Sequence, residues 1–235
     1  MALGNGMASL AAVAVLAGCT GSSGEPRQMA RTDVAATPAA PAASAASCFT
    51  PLPGHPTSAE QRAFVDEISP LAVDAERTHG VPAAAIAAMA IQESGYGWTT
   101  LAQHTNDILA WKYTTASAAG GRDSWLLDCG ATKDRYIVFP DRAQAVEFVA
   151  GRLATSDNYA GATDRYRQER AQGAPAAEAV DRWVDDIADP YSSQPEAYRT
   201  AIKRVLNNPL APSDRRSPNT NLYRLSESAQ TAGSS

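Results

Sequence analysis

The apolar positions that follow residue 57 recur at helical spacing and predict a first helix. Ser58, with Gln61 three residues later, has the form of a capping box, and Thr57 is a second N-cap candidate. The apolar face consists of Phe64, Ile68, Leu71, Ala72 and Ala75. Pro70 interrupts the pattern, and because proline removes a backbone donor and clashes with the preceding turn, we expect it to kink or split this helix.

A second helix is predicted from Ala83 to about Ser94. Gly80 is placed to end the first helix in the left-handed conformation, and Pro82 suits the first turn of the next one. The second helix carries a carboxylate, that of Glu93, in its last turn.

Further along the chain, the pattern changes to that of short strands. Residues 123–129 and 134–139 alternate or run apolar on either side of a "GAT" turn, which predicts a β-hairpin. The remaining periodicity is mostly helical. The predicted fold class is therefore mainly α with a small β-hairpin.

The two ends of the chain differ in composition from its middle. An almost wholly apolar run within residues 1–19 has the length of a signal-peptide core and is too short to span a bilayer. Residues 20–57 are rich in Ala, Pro, Ser and Thr and predict a disordered tether, and residues 210–235 predict a disordered polar tail. Residues 58–209 remain as the folded domain.

Charge and cysteine usage narrow the possible partners and the compartment. The formal net charge of -5 and the pI near 5.2 come without any basic run, so nucleic acid is not an expected partner. If Cys19 is set aside, Cys48 and Cys129 form an even pair in a chain with an export signal. We expect these two cysteines to form a disulfide.

Glu93 is the candidate catalytic residue. It lies on the same helix face as the apolar Ile86 and Ala90, and both burial and the negative end of the helix dipole disfavour its ionised form. A glutamic acid that keeps its proton near neutral pH can act as a general acid. Gly95 and Gly97 are expected to turn the chain sharply beyond it and to keep the space in front of the carboxyl open. The alternative is an ordinary solvated glutamate at a frayed helix end.

Four segments, in order along the chain, resemble the glucosaminidase family of bacterial cell-wall hydrolases, which includes flagellar peptidoglycan hydrolases and the mannosyl-glycoprotein endo-β-N-acetylglucosaminidase-like domain. The segments are "GVPAAAIAAMAIQESGYG", "HTNDILAWKY", "RYIVFPDRAQAVEFV" and "IADPYSSQPEAYRTAIKRVL". The resemblance implies a lysozyme-like α+β domain that cleaves the β-1,4 bond after N-acetylglucosamine in peptidoglycan glycan strands. In the first segment it implies that Glu93 is the catalytic acid.

The same resemblance places a second catalytic group on the hairpin. Of the three aspartates there, Asp128 is ranked ahead of Asp123, and Asp134 is placed last because aspartate is common in turns for local reasons. A substrate-assisted mechanism without a second carboxylate stays open. The expected substrate-binding residues are Trp98, Asn106, Trp111, Lys112, Tyr136, Tyr191 and Tyr198.

The start of the chain carries a separate resemblance. "VLAGC" resembles the lipobox of bacterial lipoproteins, which implies cleavage before Cys19 and lipidation of its thiol. A plain secretory signal with an incidental cysteine is the alternative. Both interpretations place the protein outside the cytoplasm, and the first adds a membrane lipid anchor as a partner.

Other chemistries find little support in the sequence. The three histidines, His55, His79 and His104, have no zinc-ligand spacing, and there is no Gly-X-Ser-X-Gly elbow. We therefore expect no metal and no cofactor, and a monomer. Two alternatives of function remain open: a lytic transglycosylase on the same fold, and a wall-binding lipoprotein without catalytic activity.

Overall fold

A computed structural model describes residues 48–129, 133–210 and 221–231 of the chain. In these ranges the chain forms eight helices and one two-stranded hairpin. The elements are α1 (Ser58–His79), α2 (Ala83–Ser94), α3 (Thr100–Thr105), β1 (Ser124–Asp128), β2 (Lys133–Ile137), α4 (Arg142–Thr155), α5 (Ala160–Ala171), α6 (Ala176–Tyr191), α7 (Pro195–Asn207) and α8 (Tyr223–Thr231). The predicted fold class, a mainly α, lysozyme-like α+β domain with a small hairpin, is confirmed.

Helix α1 begins with a capping box one residue earlier than predicted. The amide of Glu60 donates to the Thr57 hydroxyl (3.3 Å), and the amide of Thr57 donates to the Glu60 carboxylate (2.7 Å). Contrary to the prediction, Pro70 lies inside one continuous helix. Pro70 is exposed, so the carbonyl that loses its helical partner lies on the solvent side, where water can satisfy it.

Helix α2 is the central element of the domain. It extends over the predicted residues and is buried on all sides from Ala83 to Ile91, packed against α1, α7 and α8. A helix that is apolar all round is stable only inside a core, and its alanines let the neighbouring helices approach closely. As predicted, Gly80 ends the preceding helix in the left-handed conformation, with φ of 69°.

The hairpin is extended on one side by a short third stretch of chain. Strands β1 and β2 are antiparallel, with Trp125 opposite Tyr136. On the other side of β2, Lys112 bridges to Tyr136, and the amide of Tyr113 donates to the carbonyl of Arg135 (2.8 Å). This pairing brings residues 111–113 to the edge of the hairpin that faces the helices.

Residues 48–56 are packed onto the domain, whereas the sequence predicted a disordered tether up to residue 57. Cys48 forms a disulfide with Cys129 at the end of β1, Pro51 forms a bridge with Thr99, and the His55 ring stacks on Trp98 at 3.8 Å. The disulfide and the stacked rings hold residues 48–56 in place. The Ala- and Pro-rich composition of residues 20–57 did not indicate these contacts. Residues 20–47 and the predicted signal segment with Cys19 lie outside the described residues.

The prediction of a disordered tail is also wrong for residues 221–231, which fold onto the domain. Leu222, Tyr223, Leu225 and Ala229 are buried, and helix α8 packs on α1, α2 and α6. The buried Ser226 hydroxyl accepts a hydrogen bond from the amide of Ala84 at the start of α2 (3.1 Å). Residues 210–235 are polar on average, so their composition did not indicate the short amphipathic segment within them.

Leu222 provides the test of this packing. It is fully buried, so we expect Leu222→Ala to lower the free energy of unfolding by about 2–4 kcal/mol in urea titrations, since the truncated side chain leaves a cavity. Arg224→Ala, an exposed site two residues further along in α8, is the control and should change it by less than about 0.5 kcal/mol. Equal stabilities of the two variants would contradict the packed position of α8.

Candidate active-site groove

Two adjoining cavities form one groove between the hairpin and the helices. The first, called here the Glu93 cavity, has a volume of about 360 Å³ and includes Glu93 in its lining. The second, called here the Arg152 cavity, has a volume of about 510 Å³ and includes Arg152. They share a wall made of Ala110, Lys112, Asp134 and Tyr191. Each cavity alone has the volume of a small-molecule site, and the two side by side give room for a longer ligand.

Glu93 stands where α2 ends at the floor of the first cavity. Its side chain is half-buried, and burial raises the pKa of its carboxyl from 4.5 to about 7. The turn behind it is fixed by Ser94, whose hydroxyl donates to the carbonyl of Ala90 (2.5 Å) and accepts the amide of Gly97 (2.8 Å). The carboxyl is thus held on a rigid element in an environment that favours its protonated form.

The glycines after Glu93 turn the chain sharply, as predicted, but the predicted open space in front of the carboxyl does not come from them. Gly95 has a φ of 54°, and a Cβ there would lie 2.6 Å from the Pro51 ring. A Cβ at Gly97 would lie 2.5 Å from the Arg142 guanidinium. They make room for residues 48–56 and for α4, and the space in front of Glu93 does not depend on them.

Asp107 is a second buried carboxyl near Glu93 that the sequence did not reveal. It is 1% exposed, one oxygen accepts the amide of Leu109 (3.2 Å), and the other has no hydrogen-bond partner among the described residues. Burial raises the pKa of Asp107 well above its usual range, the nearby charge of Glu93 raises it further, and the amides of residues 109–111 oppose the effect. In the sequence Asp107 has the appearance of an ordinary turn residue.

Of the three hairpin aspartates, the one that the sequence analysis placed last is the one that lines the groove. Asp134 lines both cavities and forms an ion pair with Lys112 (2.9 Å). Asp128 is exposed and paired with Lys133 (3.1 Å), its cross-strand partner. Asp128 and Asp123 line neither cavity. Because side chains alternate along a strand, Asp134 lies on the opposite face of β2 from Lys133 and its partner.

Three of the predicted tyrosines meet in the Glu93 cavity. The hydroxyl of Tyr191 donates to the carbonyl of Leu109 (2.6 Å), and its ring stacks on that of Tyr198 with centroids 5.3 Å apart. The Tyr198 hydroxyl is buried and has no hydrogen-bond partner among the described residues. Tyr136 lines the same cavity from β2. Burial raises the pKa of all three hydroxyls, so they act as neutral hydrogen-bonding groups.

The other predicted substrate-binding residues divide between the groove and the scaffold. Lys112 lines both cavities, and Trp111 lines the Arg152 cavity. Trp98 is outside both linings and stacks on His55, while the Asn106 amide donates to the carbonyls of residues 139 and 140 (3.0 and 3.2 Å). Trp98 and Asn106 therefore hold the scaffold together. The sequence missed Phe49, which lines the Glu93 cavity and is 40% exposed.

Two features of the described residues bear on other functions. Among residues 48–129, 133–210 and 221–231, no three His, Cys, Asp or Glu side chains are grouped so as to hold a metal ion. None of the helices in that part of the chain is both long and apolar enough to cross a bilayer.

Comparison with known proteins gives distant structural similarity only. No family model and no curated protein sequence matches the chain. It is similar to the catalytic domain of the autolysin Auto from Listeria monocytogenes, with 16% identity and a TM-score of 0.49 over 75% of this chain and 90% of that one. It is also similar to an N-acetylmuramoyl-L-alanine amidase from Staphylococcus aureus, with 15% identity and a TM-score of 0.45 over 72% of this chain and 47% of that one.

The raised pKa of Glu93 predicts a measurable cost in stability. Between pH 4.5 and about 7 the folded protein holds a proton that the unfolded chain has released, so the free energy of unfolding falls as pH rises through this range. Glu93→Gln is neutral at every pH. The difference in free energy of unfolding between Glu93→Gln and the parent should therefore shift in favour of the variant by about 1–3 kcal/mol from pH 4.5 to pH 8. Urea denaturation at the two pH values measures it.

Glu227→Gln, at an exposed position on α8, is the control for this comparison. Its stability relative to the parent should be the same at both pH values. A pH-independent difference for Glu93→Gln as well would show that the Glu93 carboxyl is ionised normally in the folded state.

Proposed function

We propose that the protein is an exported peptidoglycan hydrolase, an endo-β-N-acetylglucosaminidase that cleaves the β-1,4 bond after N-acetylglucosamine. One observation carries the proposal: a carboxyl with a pKa of about 7 stands at the floor of a groove lined by tyrosines and a lysine. A protonated acid in a sugar-sized groove is what glycosidic bond cleavage requires. The resemblance of the four sequence segments gives the bond and the polymer.

Glu93 acts as the general acid in this proposal. The raised pKa lets the carboxyl keep a proton near neutral pH, and it donates this proton to the glycosidic oxygen as the bond breaks. The rigid turn at Ser94 keeps the carboxyl in one place, so the side chain loses little orientational freedom on reaching the transition state. Activity should decline as the pH rises above about 7, because the carboxyl then has no proton to donate.

The oxocarbenium-like centre needs a second stabilising group on the other side of the sugar. Asp134 is the hairpin carboxylate in the same cavity, and Lys112 balances its charge while leaving it on the groove wall. The unpartnered hydroxyl of Tyr198 is available to hydrogen-bond the attacking water or the acetamido group of the substrate. We propose Asp134, rather than Asp128 or Asp123, as the base that activates water.

The proposed location follows from the start of the chain. We propose that the enzyme lies outside the cytoplasm, attached to the membrane by a lipid on Cys19, and acts as a monomer on nearby glycan strands; the apolar run and the "VLAGC" segment support this location. The disulfide between Cys48 and Cys129 is in keeping with an oxidising compartment.

Glu93→Gln tests the general acid. The amide has nearly the same shape but donates no proton of the required acidity, so we expect the rate of wall hydrolysis to fall at least about 1,000-fold. The circular dichroism spectrum and sedimentation with insoluble peptidoglycan should be unchanged. The measurement is the clearing of a turbid peptidoglycan suspension, with the released sugar ends identified by mass spectrometry.

Activity within a few-fold of the parent would rule out Glu93 as the acid. Reducing N-acetylglucosamine ends support the hydrolase, whereas anhydro-muramic ends would identify a lytic transglycosylase. Absence of any cleavage by the parent protein would favour a binding protein without catalytic activity.

Asp134→Asn and Asp128→Asn form a matched pair on the same hairpin, since each removes one carboxylate from a lysine ion pair. If Asp134 activates water, its variant should lose about 100-fold or more in kcat while the Asp128 variant stays within about threefold. Near-parental rates for both would point to the acetamido group of the substrate as the second group.

A further inference from the structure

The Arg152 cavity is larger than the one that contains Glu93 and is lined differently. Its flat apolar surfaces come from Trp111, Tyr113 and Tyr159, which suit the face of a sugar ring. Its lining also includes Lys112, Arg135 and Arg152 against a single carboxylate, that of Asp134. A neutral sugar does not require this excess of positive charge, which is notable in a protein with a net charge of -5.

Two cations of this cavity, Arg135 and Arg152, have no counter-ion among the described residues; Arg135 is exposed and donates to the Ser124 hydroxyl (2.9 Å), whereas Arg152 is half-buried. Asp134 is already paired with Lys112, and Arg152 forms no ion pair with any residue in the described part of the chain. One of its nitrogens donates to the carbonyl of Ala118, and its guanidinium lies 5.2 Å from the centre of the Phe148 ring. These contacts hold the side chain in place while other N–H donors of the guanidinium remain for a ligand.

The two cavities share four lining residues, so the Arg152 cavity is within reach of a sugar next to one that is bound at Glu93. In peptidoglycan every second sugar carries a lactyl group that bears a peptide with free carboxylates. One such arm lies beside the scissile bond whichever way the strand is oriented. A guanidinium binds a carboxylate through two parallel hydrogen bonds, which makes the combination of aromatic rings and an unpaired arginine specific for a sugar with an anionic arm.

We propose that the Arg152 cavity binds a carboxylate of the stem peptide, so that the enzyme acts on peptide-bearing strands in preference to bare glycan. This inference rests on the proposed function, because it takes the occupant of the groove to be a peptidoglycan strand. Arg152 is the residue that selects for the peptide-bearing form.

The test measures binding, so that it does not depend on hydrolysis. The full chain carrying Glu93→Gln is titrated calorimetrically with a peptidoglycan tetrasaccharide that bears tetrapeptide stems, and with the same fragment after its carboxyls are converted to methylamides. We expect the native fragment to bind at least about tenfold more tightly, since one charge-assisted hydrogen-bonded pair contributes on this scale. Adding Arg152→Gln should reduce that preference about five- to tenfold.

Arg122→Gln is the matched control. Arg122 also stacks on Phe148, at 4.6 Å, and donates to a carbonyl of the same loop, that of Ala119, but lines neither cavity. Its substitution in the Glu93→Gln background should leave the preference within about twofold. Circular dichroism checks that both arginine variants are folded.

Equal affinity of the Glu93→Gln protein for the two fragments would overturn the inference, as would equal effects of Arg152→Gln and Arg122→Gln. Displacement of the native fragment by poly(glycerol phosphate) at lower concentration than by free stem peptide would assign the cavity to a wall phosphate polymer instead. If the preference is found but the parent protein does not cut the native fragment, the inference holds and the proposed hydrolase activity fails.

Discussion

The complete burial of helix α2 is the constraint on which the rest of the structure depends. A helix of 12 residues is only marginally stable by itself in water, even when it is rich in alanine. Close packing against α1, α7 and α8 stabilises it here. This packing determines where the helix ends. The first residue pair to emerge from the core is Gln92 and Glu93, so the position and the proton affinity of the acid are both consequences of how α2 is enclosed.

The groove lies between the hairpin and the end of this enclosed helix. The loop after α3 turns back through Asp107 and Ala110, whose φ of 50° is left-handed, and then pairs with β2. This leaves Lys112 and Asp134 facing the end of α2 across an open space. Residues 48–56, tied to β1 by the disulfide, bring Phe49 to the rim of the same space. Elements that are far apart in sequence thus each contribute one wall.

The sequence predicted the parts of the structure that follow from local patterns. The bounds of α2, the left-handed Gly80 and the position of the hairpin depend on periodicity and on single residues with restricted backbone preferences, and these predictions were confirmed. Placing Glu93 in a half-buried last turn also followed from the spacing of its apolar neighbours. Pro70 was misjudged because its effect depends on whether the lost hydrogen bond faces solvent, which a sequence does not indicate.

The site beyond Glu93 depended on tertiary contacts that leave no local signal. Asp134 was placed last among the hairpin aspartates, yet strand register puts it in the groove and puts Asp128 outside it. Asp107 resembles any turn aspartate until the fold buries it. The packed residues 48–56 and 221–231 are short segments within regions whose average composition is polar or small, so composition alone predicted disorder for both.

The most direct test of this account is the ionisation of Glu93 in the intact protein. The side-chain carboxyl carbon of Glu93 can be followed by ¹³C NMR from pH 3 to pH 9, with its signal assigned by its absence in Glu93→Gln. The account predicts a titration midpoint near 7, the value that burial at the end of α2 imposes. A midpoint close to 4.5, the value of a solvated glutamate, would contradict the claim that the enclosure of α2 creates the acid.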